Sequence, residues 1–287
     1  MNIGAAEQSY ERHSSGENAN TTLPSCYVAP DTIDAWRHRR MLDWLQPLLT
    51  RFPNAEWLTL GDGNFGSDAH YLQSNGAQAT ASSLTDSTLK LAFARGYLKR
   101  FCAQNAEKLS FGDETFDFVM CKEAYHHFPR PPIAFYEMWR VAKRAIVLIE
   151  PTEGSWRLLS WMKESVKRML RGDGASEFEP CGNFLFRINL RELRKMAVAL
   201  NGDSIAYRFF NDFYFGPAAH SKALSYAWGA VFTRLGILIQ DLLGQLGLLN
   251  YGLACVILFK NEADQRTRSD LKRAGFAFSE LPRNPYL

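Results

Sequence analysis

Two stretches of the chain hold residues whose types and spacing could do chemistry. Glu56 to Gly66 (EWLTLGDGNFG) is an apolar run that stops at a glycine-rich turn. Trp57, Leu58, Thr59 and Leu60 suit a buried strand, and Gly61, Gly63 and Gly66 let a ligand approach the backbone closely. The polar run from Ser67 to His70 then leads into a helix that closes near Asn75-Gly76. A strand, a Gly-x-Gly-x-x-Gly turn and a helix N-terminus make a nucleotide-sized site, because free N–H groups and the helix dipole converge on one spot. Taken alone, the same pattern fits a plain strand-to-helix turn. The second stretch is Lys122 to Phe128 (KEAYHHF). His126 or His127 can take a proton from a hydroxyl, since imidazole titrates near a pH of about 6.5. Glu123 is a further candidate base, equally suited to pairing with Lys122 or a backbone amide. In the plainer reading one histidine orients the loop, the other contacts a ligand, and Tyr125 packs.

These stretches must be positioned by regular elements. A helix is expected from Asp31, its apolar stripe formed by Ile33, Trp36, Met41, Trp44, Leu45 and Leu48, with Arg37, His38, Arg39 and Arg40 on a solvated face. Ala77–Leu84, Arg100–Asn105, Phe116–Cys121 and Arg144–Glu150 read as strands after the first, with helices between them. Such alternation argues for an α/β, doubly wound, mostly parallel sheet with ligands at the carboxyl ends of its strands. Two late strands, Ile205–Asn211 and Leu253–Lys260, bring the expected total to seven. Residues 1–30 read as a flexible arm, 31–262 as the domain, and 263–287 as a charged tail.

Composition narrows the function. The 287 residues are 46% hydrophobic and 22% charged, as in ordinary globular proteins, and a net charge of +3 is far from a nucleic-acid binder's basic stripe. Cys26, Cys102, Cys121, Cys181 and Cys255 are scattered and unpaired in sequence, which fits free thiols rather than a disulfide framework or a zinc site. The first twenty residues lack the basic start and apolar core of a signal peptide, so a cytoplasmic protein is expected.

In order and spacing, the stretches resemble the class I S-adenosylmethionine-dependent methyltransferases of the type 11-like group, over about residues 55–151. Gly61–Gly66 is similar to that family's cofactor loop, and Ala81–Asp86 to the segment leaving its second strand. Asn105-Ala106-Glu107-Lys108-Leu109 resembles its Asp-Ala-Glu-x-Leu stretch, and Ser110–Cys121 its Phe-x-Asp-x-x-Phe-Asp strand entry. Glu123–Pro129 and Tyr136–Ala142 complete the match. The resemblance implies a bound S-adenosylmethionine, released as S-adenosylhomocysteine, with no metal. Thr59, Gly61, Asp62, Gly63, Asn64, Phe65, Gly66, Ser83, Leu84, Asn105, Ala106, Glu107, Lys122 and His127 are the cofactor contacts it implies, and Glu123, His126 and His127 lie where the family approaches the transferred methyl. The chain departs from the family at three acids, which here are Thr59, Ser83 and Asn105; Asp62 or Asp86 would compensate.

The second half, residues 152–262, is expected to cover the acceptor. Glu179–Arg187 and Asn211–Gly216 mix aromatic faces with polar groups, which suits a sugar and equally a packed lid. Asn183, Arg187, Asp212 and Tyr214 are the expected substrate contacts. The amphipathic, basic stretch Ser155–Arg171 and the apolar stretch Ala223–Leu249 fit either peripheral contact with the inner face of a membrane or a buried helix pair. The leading expectation is O-methylation of a small polar molecule, sugar or glycan precursor, with no nucleic-acid partner. The alternatives are N- or C-methylation of a small metabolite or lipid, and a non-catalytic binding or scaffold protein that retains the fold.

Overall fold

Trp57 and Leu58, neighbours in sequence, are both fully buried but in different cores, one on each face of a sheet. The computed structural model describes residues 3–19, 31–154, 177–178 and 183–286; Ser155–Arg171, Cys26, Cys181 and residues 179–182 lie outside the described residues. The strands are β1 (Glu56–Leu60), β2 (Gln78–Ser83), β3 (Phe101–Ala103), β4 (Phe116–Lys122), β5 (Ala142–Pro151), β6 (Ser204–Phe210), β7 (Leu253–Phe259) and β8 (Ala277–Glu280). They form one sheet in the order β3-β2-β1-β4-β5-β7-β6-β8. The first five are parallel, whereas β7 is antiparallel to β5 and β6, and β8 to β6.

The sheet therefore has eight strands, not the seven expected. The extra one comes from the segment expected to be a tail, whose helix Gln265–Arg273 buries Leu271 under the sheet and returns Phe276 to the core, so that β8 can pair with β6. The amino-terminal arm departs from expectation too. Ile3–Ala19 is helix α1, a segment with Glu7, Gln8, Glu11 and Arg12 among its helix formers.

Along the chain, α2 (Ile33–Leu42), α3 (Gln46–Arg51), α4 (Ser67–Ser74) and α5 (Ser87–Ala94) cover one face of the sheet, with α9 (Gln265–Arg273) beside them; α6 (Pro131–Val141) and α7 (Leu190–Ala199) cover the other. Among the described residues the remaining α-helix, α8 (Trp228–Gln245), contributes to neither core. It starts later than the apolar run suggests, because residues 219–223 instead hydrogen-bond to the start of α2: Ile33 N donates to Ser221 O, Asp34 N to Ala219 O and Ala223 N to Asp31 O. The cap of α2 is Thr32, not Asp31, its Oγ1 accepting from Ala35 N at 3.2 Å.

The arginine face of α2 is solvated only in part: Arg39 is exposed, but Arg37 is buried. Ile33, Arg37 and Met41 are spaced by four and all buried. Arg37 donates through Nε to Asp212 Oδ1 (3.0 Å), makes a second contact with Asp212 Oδ2, and reaches Asp34 Oδ1 at 2.8 Å. Asp212, expected to meet substrate, thus clamps the exit of β6 to α2. Replacing Arg37 with alanine leaves that carboxylate only its longer contact with Arg40 Nη2, at 3.6 Å, and should cost about 3 kcal/mol of stability in denaturant unfolding; Arg37→Lys, which cannot make the fork, should recover only a fraction of the loss.

Candidate active site

Two loops build the site, each held by one buried carboxylate. After β1 the chain turns through Gly61 at φ +70°. Asp62 then folds its side chain back: Oδ2 accepts from Thr59 Oγ1 (2.8 Å) and Ala69 N (2.9 Å), and Oδ1 from Asp68 N (3.2 Å). These are free amides of the first turn of α4, so Asp62 acts as that helix's cap. Burial, and next the Asp68 carboxylate, push its pKa well up. Asp62, one of the expected cofactor contacts, thus serves α4 and Thr59 with both oxygens and lines the second cavity described below rather than the first.

After β4, Glu123 takes a left-handed backbone, φ +49°. The fully buried Glu150 of β5 holds the residues that follow. Its Oε1 accepts from Ala124 N and Tyr125 N, both at 2.9 Å, and its Oε2 lies 2.6 Å from His126 Nδ1. The two loops touch, since a β-carbon on Gly61 would fall 2.3 Å from Ala124 Cβ.

Two cavities open at this crevice, where the strand order reverses between β1 and β4. The first, of about 380 Å³, is lined by Gly61, Gly63, Asn64, Ser83, Leu84, Asn105, Ala106, Glu107, Glu123 and His127. Nine of the fourteen expected cofactor contacts meet there, and glycine backbone, a hydroxyl, an amide and small apolar surfaces suit a nucleoside. Of the others, Phe65 is buried in the core, Gly66 packs on Leu98, and Thr59 serves Asp62. Glu107 lines the cavity, but its oxygens accept from Arg130 N and Nε, both at 2.6 Å. Asn105 Oδ1 accepts from Glu107 N at 2.9 Å.

Helix α1 roofs this cavity with Tyr10, Arg12 and His13. Burial and the nearby Glu107 push the Tyr10 hydroxyl up to about 12. Asn183 Nδ2 donates to His127 O at 2.6 Å and lies 3.2 Å from His13 Nε2, so this buried residue clasps α1 to the loop after β4 rather than meeting substrate. His126 lines neither cavity.

The second cavity, of about 650 Å³, shares Gly61, Asn64 and Glu123 with the first and is otherwise walled by α2 and α4. Carboxylates (Asp34, Asp43, Asp68), amides (Gln46, Asn75), His38, His70, Tyr71, Tyr97 and Lys122 face it. Lys122 Nζ sits 3.1 Å from Asp68 Oδ1 and 3.5 Å from Glu123 Oε2. Burial alone would lower its pKa; Asp68 and Glu123 raise it instead. Burial would likewise raise Glu123, but His38, 3.4 Å away, together with Lys122 holds this carboxyl well below its usual range. Arg187 is exposed and lines neither cavity, and Tyr214 is exposed with the Arg37 guanidinium over its ring. Sequence reasoning missed Asp34, His38 and Asp68. The i,i+4 spacing of Asp34 and His38 beside the buried Arg37 was the available signal.

Residues 58–149 match a family model described as a methyltransferase domain. Among solved structures, the YcgJ protein of Bacillus subtilis is similar with a TM-score of 0.50 and 18% identity, over 79% of this chain and 100% of that one. A candidate methyltransferase of Bacillus halodurans gives 0.51 and 20%, over 77% and 99%. A SAM-dependent methyltransferase of Archaeoglobus fulgidus gives 0.50 and 14%, over 78% and 94%. At these identities the likeness is one of fold. No curated protein matches the chain.

Gly61→Ala should cost about 2–4 kcal/mol, from its left-handed backbone and the collision with Ala124, and should move both loops, read as a lower melting temperature. Glu123 titrates near pH 4.3 in an unfolded chain, as glutamates roughly do, but far lower in the folded one. Its stabilising contribution is therefore complete above about pH 5 and is lost as pH falls. The stability gap between wild type and Glu123→Gln should narrow in the same direction.

Proposed function

We propose that this chain, of which residues 58–149 match a methyltransferase domain, is a class I S-adenosylmethionine-dependent methyltransferase that methylates a hydroxyl of a small polyhydroxylated acceptor such as a sugar or glycan precursor. The observation that carries the reading is the pair of cavities meeting at Gly61, Asn64 and Glu123, one suited to a nucleoside and the other lined by carboxylates, amides, tyrosines and imidazoles. Glycan-type hydroxyls need that density of hydrogen-bonding groups.

S-adenosylmethionine, when bound, supplies a methyl group already activated by its sulfonium. What remains for the protein is alignment and removal of one proton. Gly61, Gly63, Ser83, Leu84, Asn105 and Ala106 hold the nucleoside, with His127 beside them. Glu123, kept ionised, faces His38 Nδ1 at 3.4 Å and orients the ring. His38 Nε2 is 3.9 Å from Asp34 Oδ1, beyond hydrogen-bond reach, and is the atom placed to take the hydroxyl proton. The resulting imidazolium then stands between two carboxylates. His38 thereby takes the role expected of His126 or His127.

One observation favours an amine acceptor instead: the carboxylates Asp34, Asp43, Asp68 and Glu123 all line the second cavity and would hold an ammonium. The two readings separate on His38→Asn, which should lower kcat for a hydroxyl by about 10²–10⁴-fold and leave N-methylation nearly unchanged. The assay is transfer from labelled S-adenosylmethionine to fractionated cell extract, with mass analysis of the product. Absence of any heat in isothermal titration with millimolar S-adenosylmethionine would remove both readings and leave a non-catalytic protein that retains the fold.

A further inference from the structure

Helix α8 is built inside out. Its inner side presents small residues: a β-carbon on Gly229 would meet Ala218, one on Gly236 would meet Phe213, and one on Gly244 would meet Tyr251, all closer than 3 Å. Ala230 and Thr233 are fully buried beside them. The large apolar residues stay outside: Trp228 is 71% exposed, Leu235 49%, Leu238 63%, Leu242 53% and Leu246 64%. Water-soluble helices arrange these classes the other way round. The adjoining Leu224 and Tyr226 are more exposed still.

Both charged residues of α8 are engaged within the fold. Arg234 donates through Nη2 to Ser225 O (3.0 Å) and through Nη1 to Ala223 O, and Asp241 Oδ1 accepts from Asn211 N at 2.7 Å. Asp241 is also the only acid between residues 213 and 250, while the exposed Lys222 stands two residues before Leu224 in the chain. At the far end, Gly154 lies against Asn250 just past α8. From Gly154 the chain runs on into a sequence with Arg157, Lys163, Lys167, Arg168 and Arg171 against the single acid Glu164. An uncharged apolar helix face with Tyr and Trp at one end, in a chain whose sequence after Gly154 is basic, has the chemistry of an interface with anionic lipid.

We infer that the outer face of α8 docks this protein on an anionic membrane surface, lying in the headgroup region without crossing it. Among the described residues no helix is long and apolar enough to span a bilayer. The docking face is joined to the site, because residues 219–223 hydrogen-bond to the start of α2, whose Asp34 and His38 line the second cavity. A protein seated this way presents that cavity close to the lipid. In the reading proposed above, on which this last step rests, the surface then selects acceptors carried on or near a membrane.

The test is co-sedimentation of the full chain with vesicles, without cofactor or acceptor, so that its outcome is separate from that of methyl transfer. Wild type should pellet with vesicles of phosphatidylcholine and phosphatidylglycerol, and about tenfold less with phosphatidylcholine alone. The double variant Leu238→Glu, Leu242→Glu changes only solvent-facing positions. It should keep the wild-type melting temperature and lose about tenfold or more of the vesicle binding. Wild type remaining in the supernatant, or the variant binding as wild type does, overturns the inference. A wild-type dimer that the double variant dissociates, with no vesicle binding, overturns it in favour of a second copy of the chain as the occupant of the face.

Discussion

The candidate site depends on a carboxylate buried where no water reaches it. Glu150 is fully enclosed, and two amides and an imidazole nitrogen of the loop after β4 converge on its two oxygens. A buried charge without partners would be among the costliest features a domain could carry, so the loop has one conformation in which Glu150 is satisfied and few others. That conformation places Glu123 in a left-handed bend between the two cavities and turns His127 toward the first. On the neighbouring strand Asp62 has the matching role, converting the free end of α4 into a fixed wall. The contact of Gly61 with Ala124 then locks the two loops to each other.

From this pair the electrostatics continue outward as an alternating chain. Asp68, Lys122, Glu123, His38, Asp34, Arg37 and Asp212 follow one another, each within 4 Å of the next. Along such a series Lys122 lies between Asp68 and Glu123, and Arg37 between Asp34 and Asp212, which lets both be buried as cations and Glu123 stay ionised beside a cavity. It also fixes α2, an element before the first strand, against the exit of β6 some 170 residues later.

What could be read from the sequence divides along physical lines. The strands and the glycine turn were legible because period, apolar content and turn chemistry are local properties, and the residues gathered in the first cavity were legible because they leave strand ends that must lie side by side. Partner choice was not legible. Whether Asp62 faces a ligand or caps a helix depends on where Ala69 N falls; whether Asp212 meets substrate or Arg37 depends on a pairing across the whole domain. The charged tail hid a strand because Leu271, Phe276 and Leu281 are widely spaced among polar residues, so only the finished sheet edge gives them a place to go. The second cavity was missed for a similar reason, since His38 and Asp34 come from a helix whose arginines read as solvated.

The clasp formed by His13, Asn183 and His127 joins three distant segments of the chain above the nucleoside cavity. Its geometry makes helix α1 a ceiling over that cavity. An affinity handle attached ahead of α1 therefore bears on how readily a ligand enters and leaves beneath it. Exchange of that ligand is thereby tied to the motion of a helix that contributes nothing to the sheet.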